Sequence, residues 1–240
     1  MILKKSEVNK FGEWRSGLAE QGGVLLVDKT AGNSSFYSVA KVRRLFGIKK
    51  VGHAGTLDPF ATGLLILCLG KATKRVDQFM ARTKRYSGVV KLGATTASLD
   101  PETPETDARE LPIISEEDIR VVANSFIGAQ SQTPPMYSAK KVGGKKLYEL
   151  ARKNIEIERK PSEIEIYKLD IKRINLPFIE IDVECSKGAY IRVLARDFAE
   201  RLGQPGYLSA LRRTAIGEYQ VEDAFTIDEL IEINEKFECQ

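Results

Sequence analysis

The sequence predicts an α+β fold with a mixed, largely antiparallel central sheet flanked by helices. Two short apolar runs, Gly23–Asp28 and Leu64–Leu69, suit strands buried on both faces. Later stretches alternate apolar and polar residues, as antiparallel strands with one wet face do. Capped amphipathic segments lie between these strands, separate from any repeating strand–helix unit. At 240 residues and 42% hydrophobic content, the chain can bury one large core or two small ones.

After a polar lead-in over 1–22, the first strand runs from Gly23 to Asp28, and Lys29–Ser35 turns into a helix from about Phe36 to Phe46 that Gly47 ends. A loop rich in glycine and threonine follows over 51–63, and then the central strand Leu64–Leu69. Residues 71–82 read as an amphipathic helix with Val76, Phe79 and Met80 inward and its cations, Lys74 among them, outward. Lys84–Leu92 is a strand, and the Asp-, Glu-, Thr- and Pro-rich stretch 95–112 reads as a long surface loop. Ser115 caps a helix with the apolar stripe Ile119, Val122, Ala123 and Phe126, ended by Gly128. The segment 132–148 interleaves prolines, tyrosines and lysines, which suits either a surface that grips RNA or a solvated loop. Alternation over Ile155–Arg159, Ile164–Ile171 and Phe178–Cys185 predicts antiparallel strands. A helix follows with Ile191, Leu194, Ala195, Phe198 and Leu202 inward, then a turn and strand over Tyr207–Tyr219. A capping box, Thr226 to Glu229, opens a final acidic helix.

Composition excludes several classes. No apolar stretch approaches the roughly 20 residues that span a bilayer, and the amino end carries no signal-peptide core, so a cytoplasmic location is expected. Three cysteines far apart give neither a disulfide framework nor a paired metal knuckle, and one histidine does not support a zinc site. Charge is unevenly spread. Residues 29–91 hold thirteen Lys or Arg against two acids, whereas 218–240 hold eight acids against Lys236. A basic field around one loop fits a polyanionic partner, most plainly nucleic acid, though solvated helix faces would look the same.

That loop, Val51–Gly63, carries Asp58 and the only histidine, His53. An Asp-Pro pair often starts a turn, so Asp58 reads equally as a turn former or a functional carboxylate. Gly63–Lys71 lacks the spacing and hydroxyl residue of a phosphate-binding loop. Neither a dinucleotide-binding glycine pattern nor a Gly-x-Ser-x-Gly elbow is present.

The segment Gly52-His-Ala-Gly-Thr-Leu-Asp-Pro-Phe-Ala-Thr-Gly63 resembles the catalytic signature of the TruB family of pseudouridine synthases, which act on the T loop of tRNA. Val27–Ser35, Lys84–Tyr86, Pro134–Ala139 with Gly144–Tyr148, and Cys185–Arg192 resemble further family motifs in the same order; Thr30 stands where the family usually has proline. The resemblance implies the pseudouridine synthase fold with an RNA-binding insertion. It implies an N-terminal extension over 1–22, a catalytic domain over 23–217 and a short acidic segment over 218–240 in place of a full PUA domain. It implies Asp58 as the nucleophile, Arg192 as its cationic counterpart, and Tyr86 as a stacking residue that serves proton removal at C5. His53 is then expected to support base extrusion, Tyr190 and Leu211 to wall the pocket, and Lys29 to be structural or to touch phosphate. Lys74, Tyr137 and Lys145 would contact RNA. No metal and no cofactor is required, tRNA is the partner, and the protein is expected to act as a monomer without a protein partner. The competing expectations are the catalytic subunit of a guide-RNA-directed pseudouridylase and a non-catalytic tRNA-binding or folding protein.

Overall fold

The computed structural model describes residues 1–153 and 155–239, which form two compact units: Met1–Lys84 with Arg212–Gln240, and Arg85–Leu211. The first unit begins with β1 (Ile2–Leu3), α1 (Phe11–Gln21), β2 (Gly23–Lys29), α2 (Ser35–Phe46), β3 (Val51–His53), β4 (Thr62–Leu69) and α3 (Val76–Met80). β4 is its axis. β2 pairs antiparallel along one edge, from Gly23 opposite Leu69 to Lys29 opposite Gly63. β3 takes the other edge at the far end, with His53 opposite Leu67.

Both faces of β2 and β4 are covered, which explains their continuous apolar runs. Leu25, Val27, Leu65, Leu67 and Leu69 face a cluster with Phe11, Trp14, Leu18, Val39, Val42 and Phe46 of α1 and α2. Val24, Leu26, Leu64, Ile66 and Cys68 face Ala54, Phe79 and Ile216 on the other side.

The lead-in is therefore more than polar. In α1, Phe11, Trp14 and Leu18 recur at helical spacing and are buried. Residues 71–82 also depart from the expected helix. Gly70–Arg75 is a 3₁₀ turn, α3 is only five residues long, Phe79 is buried, and Met80 is 43% exposed. Lys84, buried at the end of this segment, donates to the carbonyls of Met80 and Arg82 and so closes the last turn.

The second unit holds β5 (Lys84–Leu92), whose first residue belongs to the other unit, then β6 (Thr95–Thr96), β7 (Glu105–Thr106), α4 (Glu116–Asn124), β8 (Gly128–Gln132), β9 (Lys141–Val142), β10 (Lys145–Lys146), α5 (Leu147–Ala151), β11 (Ser162–Asn175), β12 (Phe178–Cys185), α6 (Ile191–Arg201) and β13 (Gly206–Ile216). Its strand order is β13-β5-β12-β11-β8, with β11 antiparallel to both neighbours. The expected helix start at Ser115 holds, its hydroxyl accepting from the Asp118 amide at 3.0 Å. Two expectations fail here. Residues 155–159 form no strand, and β11, the next strand in the chain, is paired with β8 and β12. The stretch 95–112 is not simply a surface loop: β6 pairs with β7, and Thr96, Ser98 and Asp100 are buried.

β13 passes from the second unit into the first, where Arg212 lies opposite Thr62 and Arg213 opposite Gly63 in parallel register with β4. β14 (Tyr219–Gln220) and α7 (Ile227–Glu238) complete the first unit. The capping box is present as the sequence predicts: the Glu229 amide donates to Thr226 Oγ1, and the Thr226 amide donates back to Glu229. Acidic α7 is also part of the core, with Leu230 buried and Phe237 meeting Phe11 edge to face at 5.8 Å. Lys5 pairs with Glu229, and Ser6 with Asp223.

Trp14 stands edge to face against Phe46 at 5.3 Å between centroids. Replacing it with alanine is expected to cost about 3–5 kcal/mol of unfolding free energy, as for other large-to-small changes in a core. Urea denaturation measures it, and a loss under about 1 kcal/mol would mean that α1 is peripheral.

Candidate active site

Between β3 and β4 the chain has no regular structure, yet it is tightly held. Ala54 and Ala61 are fully buried and Leu57 is 3% exposed, so apolar anchors bracket the half-buried Asp58. The Ala61 amide donates to the Asp58 carbonyl at 3.1 Å, closing a turn with Pro59 in its second position, where its fixed φ fits. Asp58 thus forms the turn, as the Asp-Pro pair suggests.

Three other segments fasten this loop. Ser35, the buried first residue of α2, accepts from the Leu57 amide at 2.8 Å and donates to the Leu57 carbonyl at 3.1 Å. Lys29, 2% exposed at the end of β2, donates to the carbonyls of Thr30, Asn33 and Pro59 at 2.9, 2.7 and 3.2 Å. The Gly32 amide also donates to Pro59. Lys29 thus ties the end of β2 and the turn before α2 to the Asp58 loop.

The third fastening is Arg213 of β13, 1% exposed, whose Nε donates to the Leu64 carbonyl at 2.7 Å and Nη2 to the Gly55 carbonyl at 3.1 Å. One guanidinium thereby ties both flanks of the Asp58 loop. The contact requires Gly63: at φ +104°, a Cβ there would lie 2.3 Å from the Arg213 carbonyl oxygen. Beside it, Arg212 makes a two-pronged pair with Asp28 at 3.0 and 2.7 Å. Among these, Arg213 and Ser35 were not singled out from the sequence. A buried arginine is invisible in a basic stretch, because burial rather than residue type marks it.

His53 closes β3 and is half-buried, opposite Leu67. Burial chiefly, and the Arg213 guanidinium second, lower its pKa below the usual 6.5, so the imidazole is neutral at neutral pH. Lys74 is exposed on the 3₁₀ turn before α3.

The second unit has its own centre. Arg192, in the first turn of α6, is 3% exposed. Its Nη1 donates to Asp100 at 2.9 Å and to the Ser98 carbonyl at 2.7 Å, and its Nη2 donates to the Tyr137 carbonyl at 2.6 Å. Asp100, 1% exposed, also accepts from Ser98 Oγ and from the Glu102 amide. Thr96 Oγ1 completes the fold-back by donating to the Asp100 carbonyl and accepting from its amide. The turn carries strain at Leu99, a non-glycine residue at φ 61°. Arg192 is thus a buried side chain rather than a surface one.

Asp100 is the residue that sequence reading missed. Its signal was the run Thr95-Thr-Ala-Ser-Leu-Asp100, in which hydroxyls are spaced to bond backbone two to four residues away. Tyr190 caps the start of α6 and is fixed by Gln132, which accepts from its amide at 2.9 Å and donates to its carbonyl at 3.3 Å. Tyr137 thus joins this centre through its backbone, and its side chain is half-buried. Tyr86 is half-buried on β5, Leu211 is 8% exposed on β13, and Lys145 lies exposed on β10. Among the described residues, no group of three or more His, Cys, Asp or Glu could hold a metal ion.

Solved structures share this architecture. A Cbf5–Nop10–Gar1 complex contains a chain that superposes with a TM-score of 0.68 at 24% identity, covering 96% of this chain and 58% of that one. An H/ACA ribonucleoprotein bound to a substrate RNA gives 0.66 at 23% identity, covering 88% and 52%. These likenesses define the pseudouridine synthase fold. Within that class, the family model for TruB family pseudouridylate synthase (N terminal domain) matches residues 43–191. A tRNA pseudouridine synthase B from Chlorobaculum tepidum is 48% identical over 222 residues, which is 90% of this chain and 92% of that protein. Those from Chlorobium chlorochromatii and Geobacillus kaustophilus are 49% and 46% identical, covering 88% and 87% of this chain and 85% and 75% of theirs. The chain belongs to the TruB family.

Two outcomes test the site's construction. Asp100→Ala leaves the Arg192 charge buried and is expected to cost about 3–5 kcal/mol in urea denaturation, as for other broken buried pairs; a loss below about 1 kcal/mol would show that the pair is not needed. In a proton NMR titration the single histidine is expected to titrate below 6.5. The unfolded chain then takes up this proton first, so stability holds above about pH 6.5 and falls as pH drops from there towards the folded pKa. His53→Gln should flatten that slope, and an equal slope in both proteins would remove the assigned cause.

Proposed function

We propose that this protein isomerises uridine to pseudouridine at position 55 of the tRNA T loop, with Asp58 as the nucleophile. The observation that carries this reading is a carboxylate on a loop of the family's signature sequence, with the loop backbone held by Ser35, Lys29 and Arg213. The names of relatives at 40–49% identity, all tRNA pseudouridine synthase B, support tRNA as the substrate. The H/ACA ribonucleoprotein and Cbf5 structures share the fold only, and no observation favours a guided or non-catalytic role.

The reaction breaks C1′–N1, turns the base and joins C1′ to C5. The C5 proton leaves and N1 gains one, so no electron is transferred to an outside acceptor and no cofactor is called for. Asp58 supplies the electron pair for a covalent intermediate while the base turns. Tyr86 stacks on the uracil and serves the removal of the C5 proton. By resemblance to the family, Arg192, which pairs with Asp100, is the cationic counterpart assigned to that carboxylate. The uridine must leave its stack first, at a cost of a few kcal/mol. His53 fills the space it leaves, and Tyr190 and Leu211 wall the pocket. Lys74, Tyr137 and Lys145 contribute RNA contacts, and affinity falls with salt. Residues 23–217 form the catalytic domain with its insertion over 132–148. We infer a monomer working in the cytoplasm with its tRNA substrate.

Purified protein incubated with an unmodified tRNA transcript carrying tritium at uracil C5 is expected to release tritium without a guide RNA. Asp58→Asn should abolish release while tRNA affinity stays within a few fold, and His53→Ala should slow it. No release by the native chain would refute the activity; turnover by Asp58→Asn would refute the nucleophile.

A further inference from the structure

The first turn of α2 is built inside out. Ser35 and Ser38 are each 2% exposed, while Phe36 between them is 63% exposed and Tyr37 is 40% exposed. A helix placed on a core normally turns such residues the other way, and further along α2 it does, with Val39, Val42 and Phe46 buried. The inversion has a cause on the inner side. Ser35 must face inward to hold both backbone groups of Leu57, the residue before Asp58, and that orientation carries Phe36 outward. Tyr37 is fixed as well: its amide donates to Ser34 Oγ at 3.1 Å, and the Lys41 ammonium lies 5.4 Å from its ring centroid. Phe36 is the most exposed aromatic side chain among the described residues.

The same outward face continues into Lys41, Arg43 and Arg44, all exposed. An aromatic pair followed by a cationic turn matches an unpaired base followed by its phosphates. It does not match a purely apolar partner, for which the cations would be an obstacle. Its position matters too, because the residue beside Phe36 is hydrogen-bonded to the residue beside Asp58.

We propose that Phe36 and Tyr37 form a stacking platform for a second, unpaired base of the substrate RNA, near the nucleotide that Asp58 attacks, with Lys41 and Arg44 holding the adjoining phosphates. This rests on the reading of the protein as an RNA-modifying enzyme. The platform is preorganised by the same serine that fixes the nucleophile loop, so recognition of the neighbouring base and placement of the carboxylate share one anchor.

Filter binding of the unmodified tRNA transcript to the full chain tests this independently of turnover. The double change Phe36→Ala with Tyr37→Ala is expected to raise the Kd about tenfold, in the range found for lost base stacking, with an unchanged thermal midpoint because both side chains are exposed. Phe36→Trp with Tyr37→Phe should bind within twofold of the native chain, and the pair of leucine substitutions should bind as poorly as the alanines. Lys41→Gln with Arg44→Gln should lower the salt dependence of binding, which the alanine pair leaves in place. A Kd within twofold for the alanine pair, or full binding by the leucine pair, would overturn the platform. Absence of tritium release by a native chain that shows these affinities would refute the proposed activity and leave the platform standing.

Discussion

A loop with no hydrogen-bonded ladder of its own keeps a single shape only if its backbone groups find partners elsewhere, and here buried cations supply them. Lys29 and Arg213 are almost wholly withdrawn from water, and both donate to carbonyl oxygens around the Asp58 loop. A desolvated ammonium or guanidinium is costly, so these contacts must be made well or not at all. That condition fixes the loop at both flanks and at its tip. Gly63 and the parallel step of β13 onto β4 exist in this form because Arg213 has to pass so close.

The second unit solves a related problem with an ion pair. Arg192 and Asp100 are both buried, and each is further satisfied by backbone or hydroxyl groups, so the pair is not left to Coulomb attraction alone. Holding it demands that a hydrophilic stretch fold inward, and it draws the Tyr137 carbonyl to the same point. The polar turn from Thr96 to Thr103 is thus shaped by the arginine it surrounds.

Much of this was legible in the amino-acid sequence. The continuous run Leu64–Leu69 implied a strand covered on both sides, the Ser115 and Thr226 caps marked helix starts, and the signature around Asp58 led to the family. The failures have common causes. Residues 95–112 looked solvated because polar side chains that satisfy one another internally have the same composition as those that meet water. The alternation at 155–159 promised a strand, but pairing depends on a free edge that no local pattern reveals. The lead-in hid Phe11, Trp14 and Leu18 because charged neighbours outnumber them, although their spacing was helical. Arg213, Ser35 and Asp100 escaped because their importance comes from residues tens of positions away.

The two units also differ in how the ribosome delivers them. Residues 85–211 emerge as one unbroken stretch and can condense during synthesis, as domains generally do. The unit that contains Asp58 draws its core from both ends of the chain, with Phe11 and Trp14 packed in one cluster with Phe225 and Leu230. Arg213, which ties the loop, is itself translated about 150 residues after it. The Asp58 loop therefore acquires its final setting late in translation. The signature sequence over 52–63 is thus translated long before the contact from Arg213 that holds it in place.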